Sequence, residues 1–226
     1  MKFNRIVCGF VLVCVVISLT FCFVIVKARK SNEVLFDKVI YVDAGHGGKD
    51  NGASFDGVLE DEINLKISNY VVEILIDYGA YVLTSRTSDY DLSNMYDKNK
   101  KRKDLINRTR LINNSKADLF VSIHLNSFPS TSVMGSQVFY QNNERSKKLA
   151  NSIQNQLNEL MNSKKRVIKK GDYYILNKTN TLGVLVECGF LSNALERANL
   201  IQEDYQRKIA YKIVRGMIEY LNNLSN

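Results

Sequence analysis

The chain holds only two histidines, and both follow short apolar runs. His46 lies in "VDAGHGGKDNG" directly after "KVIYVD", and His124 closes "DLFVSIH" ahead of "LNSFPS". Such runs, rich in β-branched and aromatic residues and bounded by glycine or polar clusters, read as strands. In open α/β sheets ligands bind beyond the carboxyl ends of the strands, so two histidines remote in sequence can converge on one rim. Glu187 ends the run "GVLVE" and reaches the same rim, and the acidic group Glu60, Asp61 and Glu62 falls where a loop enters the first helical pattern. Two imidazoles and one carboxylate are a standard ligand set for catalytic Zn²⁺ with a fourth position left to water. The metal acidifies that water and polarises a carbonyl, and a nearby carboxylate takes the proton and passes it to a leaving amine. Glu187, flanked by Leu185 and Gly189, suits that second role, because an apolar setting raises a carboxyl pKa toward a general base's range. A single histidine is more often solvated than ligated, and a carboxylate closing a strand is often an edge residue. The weight here comes from the whole histidine complement standing at strand ends.

Five of the twelve glycines, Gly45, Gly47, Gly48, Gly52 and Gly57, fall around His46. They let the backbone turn sharply after the strand and approach a metal or substrate closely. "GHGGKDNG" matches neither the dinucleotide fingerprint nor the phosphate-binding P-loop, and the chain lacks the helix-borne H-E-x-x-H zinc motif.

Positioning these groups requires strands alternating with helices. Strand-like runs start near residues 37, 80, 118, 135, 172 ("DYYIL") and 183. Ile63, Ile67, Tyr70, Val71, Ile74, Leu75 and Tyr78 form a helical stripe that Gly79 stops. Leu149, Ile153, Leu157 and Leu160 make a second stripe, Tyr205, Ile209, Ile213, Met217 and Leu221 a third, and residues 105 to 115 a weaker one. The expected fold is a single α/β domain: a twisted, mostly parallel central sheet of about six strands with helices on both faces. The near-continuous apolarity of "LFVSI" and "GVLVE" is that of strands buried on both faces. The basic run "KNKKRK" (98 to 103) reads as a solvated loop.

Residues 6 to 26 carry no charge and are flanked by Lys2, Arg5, Lys27, Arg29 and Lys30. About 20 apolar residues span a bilayer as a helix, so residues 1 to 30 are expected to be a transmembrane anchor or signal segment, 31 to 36 a linker and 37 to 226 the catalytic domain. Basic residues before the span and a long domain after it favour export of that domain. Five of the 31 basic residues and none of the 23 acidic ones precede residue 31, leaving a formal +3 of the total +8 for the rest. That mild balance argues against nucleic acid as a partner. Three of the four cysteines lie in the apolar run and Cys188 is alone in the domain, so packing, not disulfides, must stabilise it.

In order along the chain, "VDAGHGGKDNGA", "LEDEINLKIS", "LTSRTSD", "ADLFVSIHLNS" and "GVLVECGFLSN" resemble the blocks of the zinc-dependent N-acetylmuramoyl-L-alanine amidases of the amidase-3 type, over residues 37 to 220. The resemblance implies zinc ligands at His46, Glu60 and His124, one ion per domain, and a catalytic carboxylate at Glu187. Only the family pattern selects Glu60 over Asp61 and Glu62. It implies a substrate-orienting role for Asn126 and cleavage of the amide between the muramic acid lactyl group and L-alanine of peptidoglycan. A bare domain behind one membrane segment most resembles the CwlD-type sporulation and germination amidases. Those strip peptides from spore cortex so that muramic δ-lactam can form, which would put the domain outside the cytoplasmic membrane, in the space between forespore and mother cell. A regulatory protein partner or a homo-oligomer is compatible with this. Ala44 and Gly183 depart from the usual family residues, and the stretch from Asp89 to Asp104 is longer and more basic, but no ligand is lost. The alternative reading is a zinc carboxypeptidase-like enzyme cutting within the stem peptide, and a third is a non-catalytic wall-binding protein that kept the fold.

Overall fold

A computed structural model describes residues 34–160 and 165–224. The expected anchor over residues 1 to 30 lies outside the described residues, among which no helix is long and apolar enough to cross a membrane. In chain order the elements are β1 (Val39–Ala44), the hairpin strands β2 (Ser54–Phe55) and β3 (Val58–Leu59), α1 (Glu60–Asp77), β4 (Tyr81–Thr84) and α2 (Lys100–Asn114). There follow β5 (Leu119–Asn126), β6 (Gln137–Tyr140), α3 (Glu144–Asn158), β7 (Lys169–Lys170), α4 (Tyr174–Lys178), β8 (Gly183–Phe190), α5 (Ala194–Leu200) and α6 (Glu203–Asn222).

The central sheet runs β4-β1-β5-β8-β6-β7. Its first four strands are parallel, β6 is antiparallel to β8, and β7 is parallel to β6. The expected six-stranded α/β architecture is present, as a mixed sheet with one antiparallel pairing. Strand β8 is buried at every position, as its continuous apolarity required. The run "DYYIL" is not a strand: Tyr174–Lys178 is helical, and Lys169–Lys170 supplies the sixth strand. Ile175 and Leu176, adjacent in sequence, both enter the same apolar cluster, whereas a strand sends neighbours to opposite faces. The basic run is likewise not a loop throughout. Residues 100 to 103 begin α2, whose first turn is capped by the Asn99 side chain accepting from the Arg102 N–H at 3.1 Å, and Lys and Arg are good helix formers.

The three strong stripes, α1, α3 and α6, cover one face. Their buried residues, among them Ile67, Ile153 and Ile213, pack against Ile40, Val42, Val121, Ile123, Val184 and Val186 in one large core. Helices α3 and α6 approach so closely that a Cβ at Gly216 would run into the backbone of Ile153. The opposite face carries a small cluster of Tyr41, Ile112, Phe120, Ile175, Leu176 and Leu185, closed by α2 and α4. The chain enters at the amino end of β1, where the Leu35 N–H donates to the Tyr78 carbonyl.

Candidate active site

Alternation along the strands builds the site. On the thinly covered face Tyr41 is followed by Asp43, Phe120 by Ser122 and then His124, and Leu185 by Glu187. Each strand thus turns from apolar to polar toward its carboxyl end while its other face stays aliphatic. His124 and Glu187 are direct partners across the β5–β8 pairing. His46 arrives from the turn after β1, and Glu60 is the first residue of α1, not a loop residue.

His46, Glu60 and His124 each present a ligand atom within 4.8 Å of the others. One carboxylate oxygen, Glu60 Oε1, lies 3.2 Å from His46 Nε2 and 3.1 Å from His124 Nδ1. It also accepts the Leu125 N–H at 3.1 Å, and Oε2 accepts the Ala53 N–H at 2.8 Å. Burial works against ionisation of Glu60, but the two imidazoles outweigh it and hold its pKa well below the usual carboxylate range. His46 shows the converse: burial opposes protonation, yet Asp50 and Glu60 raise its pKa to about 9. A carboxylate facing two imidazoles in this way is a place for a cation, and the donor set fits a divalent metal. Space is kept by two glycines. A Cβ at Gly45 would collide with the His124 ring, and one at Gly52, whose φ is +68°, would collide with Glu60 and crowd His46.

Glu187 borders the same cavity of about 250 Å³. Burial first, and then the Glu60 carboxylate, lift its pKa to about 7 against the opposing imidazoles. Its Oε1 accepts from the Tyr173 hydroxyl at 3.3 Å, while the buried Oε2 has no partner. Tyr173, itself raised by burial and by Glu187, stays protonated as donor. A buried carboxylate with one anchored and one vacant oxygen, poised near neutrality, is equipped to carry a proton.

The turn that presents His46 is held from behind. His46 sits at φ +60°, a left-handed conformation that is costly for a residue with a Cβ. Arg108, almost wholly buried, donates to the carbonyls of Ala44 and His46 and pairs with Asp43 at 2.8 Å and Asp104 at 2.7 Å. Arg86 donates to the carbonyls of Ala44 and Gly45 at 3.0 Å each and of Asp61 at 2.7 Å. Asp50 accepts from His46 Nδ1 at 2.9 Å, which leaves Nε2 facing Glu60, the usual way a carboxylate orients a ligating imidazole. Lys101 of the basic run reaches the other Asp50 oxygen at 3.2 Å.

Sequence reasoning named His46, Glu60, His124 and Glu187, and the fold brings all four together. Asn126 stands apart from them, lining a neighbouring groove with its side chain accepting the Ser127 N–H at 2.8 Å. Asp50, Tyr173, Arg86 and Arg108 went unnoticed. Only Asp50, four residues after His46, offered a local signal; the others depend on contacts distant in sequence.

Residues 40–219 match the family model described as N-acetylmuramoyl-L-alanine amidase. The chain is 38% identical over 191 residues to the germination-specific N-acetylmuramoyl-L-alanine amidase of Bacillus subtilis, covering 82% of this chain and 81% of that protein. It is 36% identical over 191 residues to the B. subtilis protein YqiI, covering 83% and 87%. Among solved structures it resembles the CwlD amidase of Clostridioides difficile, solved in complex with the GerS lipoprotein, with TM-score 0.80 and 38% identity over 83% of this chain and 100% of that one. With the family's blocks in order and a carboxylate and two imidazoles gathered beside a buried glutamate, the chain belongs to the N-acetylmuramoyl-L-alanine amidases, hydrolases of peptidoglycan.

Proposed function

We propose that this amidase is zinc-dependent, with His46, Glu60 and His124 holding one zinc ion and Glu187 carrying the proton in hydrolysis of the bond between the muramic acid lactyl group and L-alanine. The observation that carries this reading is the Glu187 oxygen left unpartnered at a buried position beside a carboxylate shared by two imidazoles. When bound, zinc supplies the Lewis acidity that polarises the lactyl carbonyl and lowers the pKa of water. Tyr173 fixes one Glu187 oxygen, so the other is free to take the proton of the attacking water and return it to the departing alanine nitrogen. Burial keeps that carboxylate basic enough to accept and, once protonated, acidic enough to donate. Asp50 holds the His46 ring in the orientation that directs Nε2 inward, and Arg86 and Arg108 keep the turn beneath it from relaxing. Asn126 is assigned to substrate alignment on the groove side.

The likeness to a germination-specific amidase supports a role in spore cortex maturation, in which the released muramic acid goes on to δ-lactam. Residues 1 to 30 would tether the domain outside the cytoplasmic membrane, and the lipoprotein bound to the C. difficile relative is a precedent for a regulatory partner. The test combines metal analysis of the purified protein with mass spectrometry of digested muropeptides. One zinc per chain and bare muramic acid are expected, and a shortened stem would replace this reading with a peptidase. Glu187→Gln is expected to keep zinc and lose about 10³-fold in kcat; a loss under tenfold would remove Glu187 from the proton path.

A further inference from the structure

Beside the catalytic cavity lies a larger groove, about 650 Å³ in volume. The two are consecutive strips of one sheet face. Gln137 pairs opposite Glu187 and Phe139 opposite Leu185, and residues directly opposite on neighbouring strands project to the same side. Glu187 and Leu185 line the cavity, Gln137 and Phe139 the groove. Tyr173 forms the divide: its ring packs edge-on against Phe139 at 5.0 Å while its hydroxyl meets Glu187.

The charge of the groove is one-sided. Lys165, Arg166 and Lys169 line it without any carboxylate, and among the described residues none of the three makes an ion pair. Arg166 is the organised member. Its guanidinium lies over the Phe190 ring at 4.9 Å, with Nε donating to the Met134 carbonyl at 2.7 Å and Nη1 to Gln137 Oε1 at 3.3 Å. Gln137 in turn donates to the Val167 carbonyl, tying the basic segment to β6. Half-exposed Phe128 supplies an apolar wall.

We infer that this groove is a subsite for the acidic part of the stem peptide beyond L-alanine, with Lys165, Arg166 and Lys169 selecting free carboxylates. The inference rests on the amidase reading. An alanine whose nitrogen lies at Glu187 continues over Tyr173 into the groove, and the next residues of a stem peptide carry free carboxylates that match its cationic lining. Asn126, at the same groove, meets the peptide there and not the lactyl group.

The experiment compares two muramoyl tripeptides, one with free carboxylates and one with those carboxylates converted to amides. The wild-type enzyme is expected to favour the acid by about tenfold in kcat/KM through KM, the order of two or three exposed charge pairs, and to lose the preference at high salt. Lys165→Glu with Lys169→Glu is expected to reverse the preference, and Arg166→Lys to retain part of it. Equal rates on both substrates in the wild-type enzyme, or an unaltered preference in the reversed variant, would overturn the subsite. Binding of the free tripeptide and its amide to Glu187→Gln protein gives a readout separate from turnover. Charge-selective binding with no peptide release by wild-type enzyme would sink the amidase reading and keep the subsite, whereas release without charge selectivity would do the reverse.

Discussion

The two faces of the sheet are built to different ends. One is sealed by α1, α3 and α6 over an aliphatic core in which nearly every strand residue is a branched hydrocarbon. The other is closed by one helix and a five-residue turn of helix over a six-residue cluster, and beyond that cluster each strand presents a polar group. On the thick face stability comes chiefly from packing. The thin face keeps a buried arginine that donates to the main-chain carbonyls of Ala44 and His46, the strained histidine of that turn, and a carboxylate oxygen without a partner. The thick side carries the fold so that the thin side can keep groups that a stability optimum would remove.

The contrast breaks most sharply at Arg108. Arg108→Met leaves the Asp43 and Asp104 carboxylates buried without their partner, and about 3–5 kcal/mol of stability is expected to be lost in urea titrations. Zinc affinity should fall with it, because the carbonyl of His46 loses its donor. On the thick face Ile153→Ala should cost about 2–5 kcal/mol, with zinc stoichiometry unchanged; loss of metal from that variant would erase the distinction between the faces.

Glu187→Gln sharpens the comparison from the opposite side, by raising stability while slowing turnover. The unfolded chain gives up the Glu187 proton near the ordinary glutamate value of 4.5 and the folded chain near 7. Folding therefore takes up a proton between those values, and wild-type stability falls as pH rises through that window. The glutamine variant escapes the fall. In chelator-treated protein it should exceed wild type by up to about 3 kcal/mol above pH 7 and by almost nothing below pH 4.5. Identical pH profiles would show that Glu187 is not the strained ionisation described. The smallest effect belongs to Lys101, which is 65% exposed where it meets Asp50. Lys101→Ala should change stability by less than about 1 kcal/mol, and the difference should vanish in high salt.

The thick face was legible in sequence because its rule is periodicity. Ile63, Ile67 and Leu75, or Ile209, Ile213 and Met217, announce a helix and its buried side together. The chemistry was legible at His46, His124 and Glu187 because a strand end is a local feature, but choosing Glu60 from three adjacent acids needed the family pattern. On the thin face composition misled. "DYYIL" is aromatic and apolar like a strand, yet Ile175 and Leu176 are both needed to close a small cluster, and a short helix meets that demand. The antiparallel turn of β6 against β8 depends on pairings that no local run encodes. Arg86 and Arg108 carry no local signal, and only the folded chain places the carbonyls of residues 44 to 46 against them.

The chain's entry at the amino end of β1, beside Tyr78, puts the six residues of that strand between whatever precedes residue 34 and the reacting groups. At about 3.3 Å per residue β1 is a rigid standoff of about 20 Å. Under the proposed tether such a domain would present its reacting rim outward, and linker length would set the depth of polymer it could reach without altering the path by which a strand of that polymer arrives.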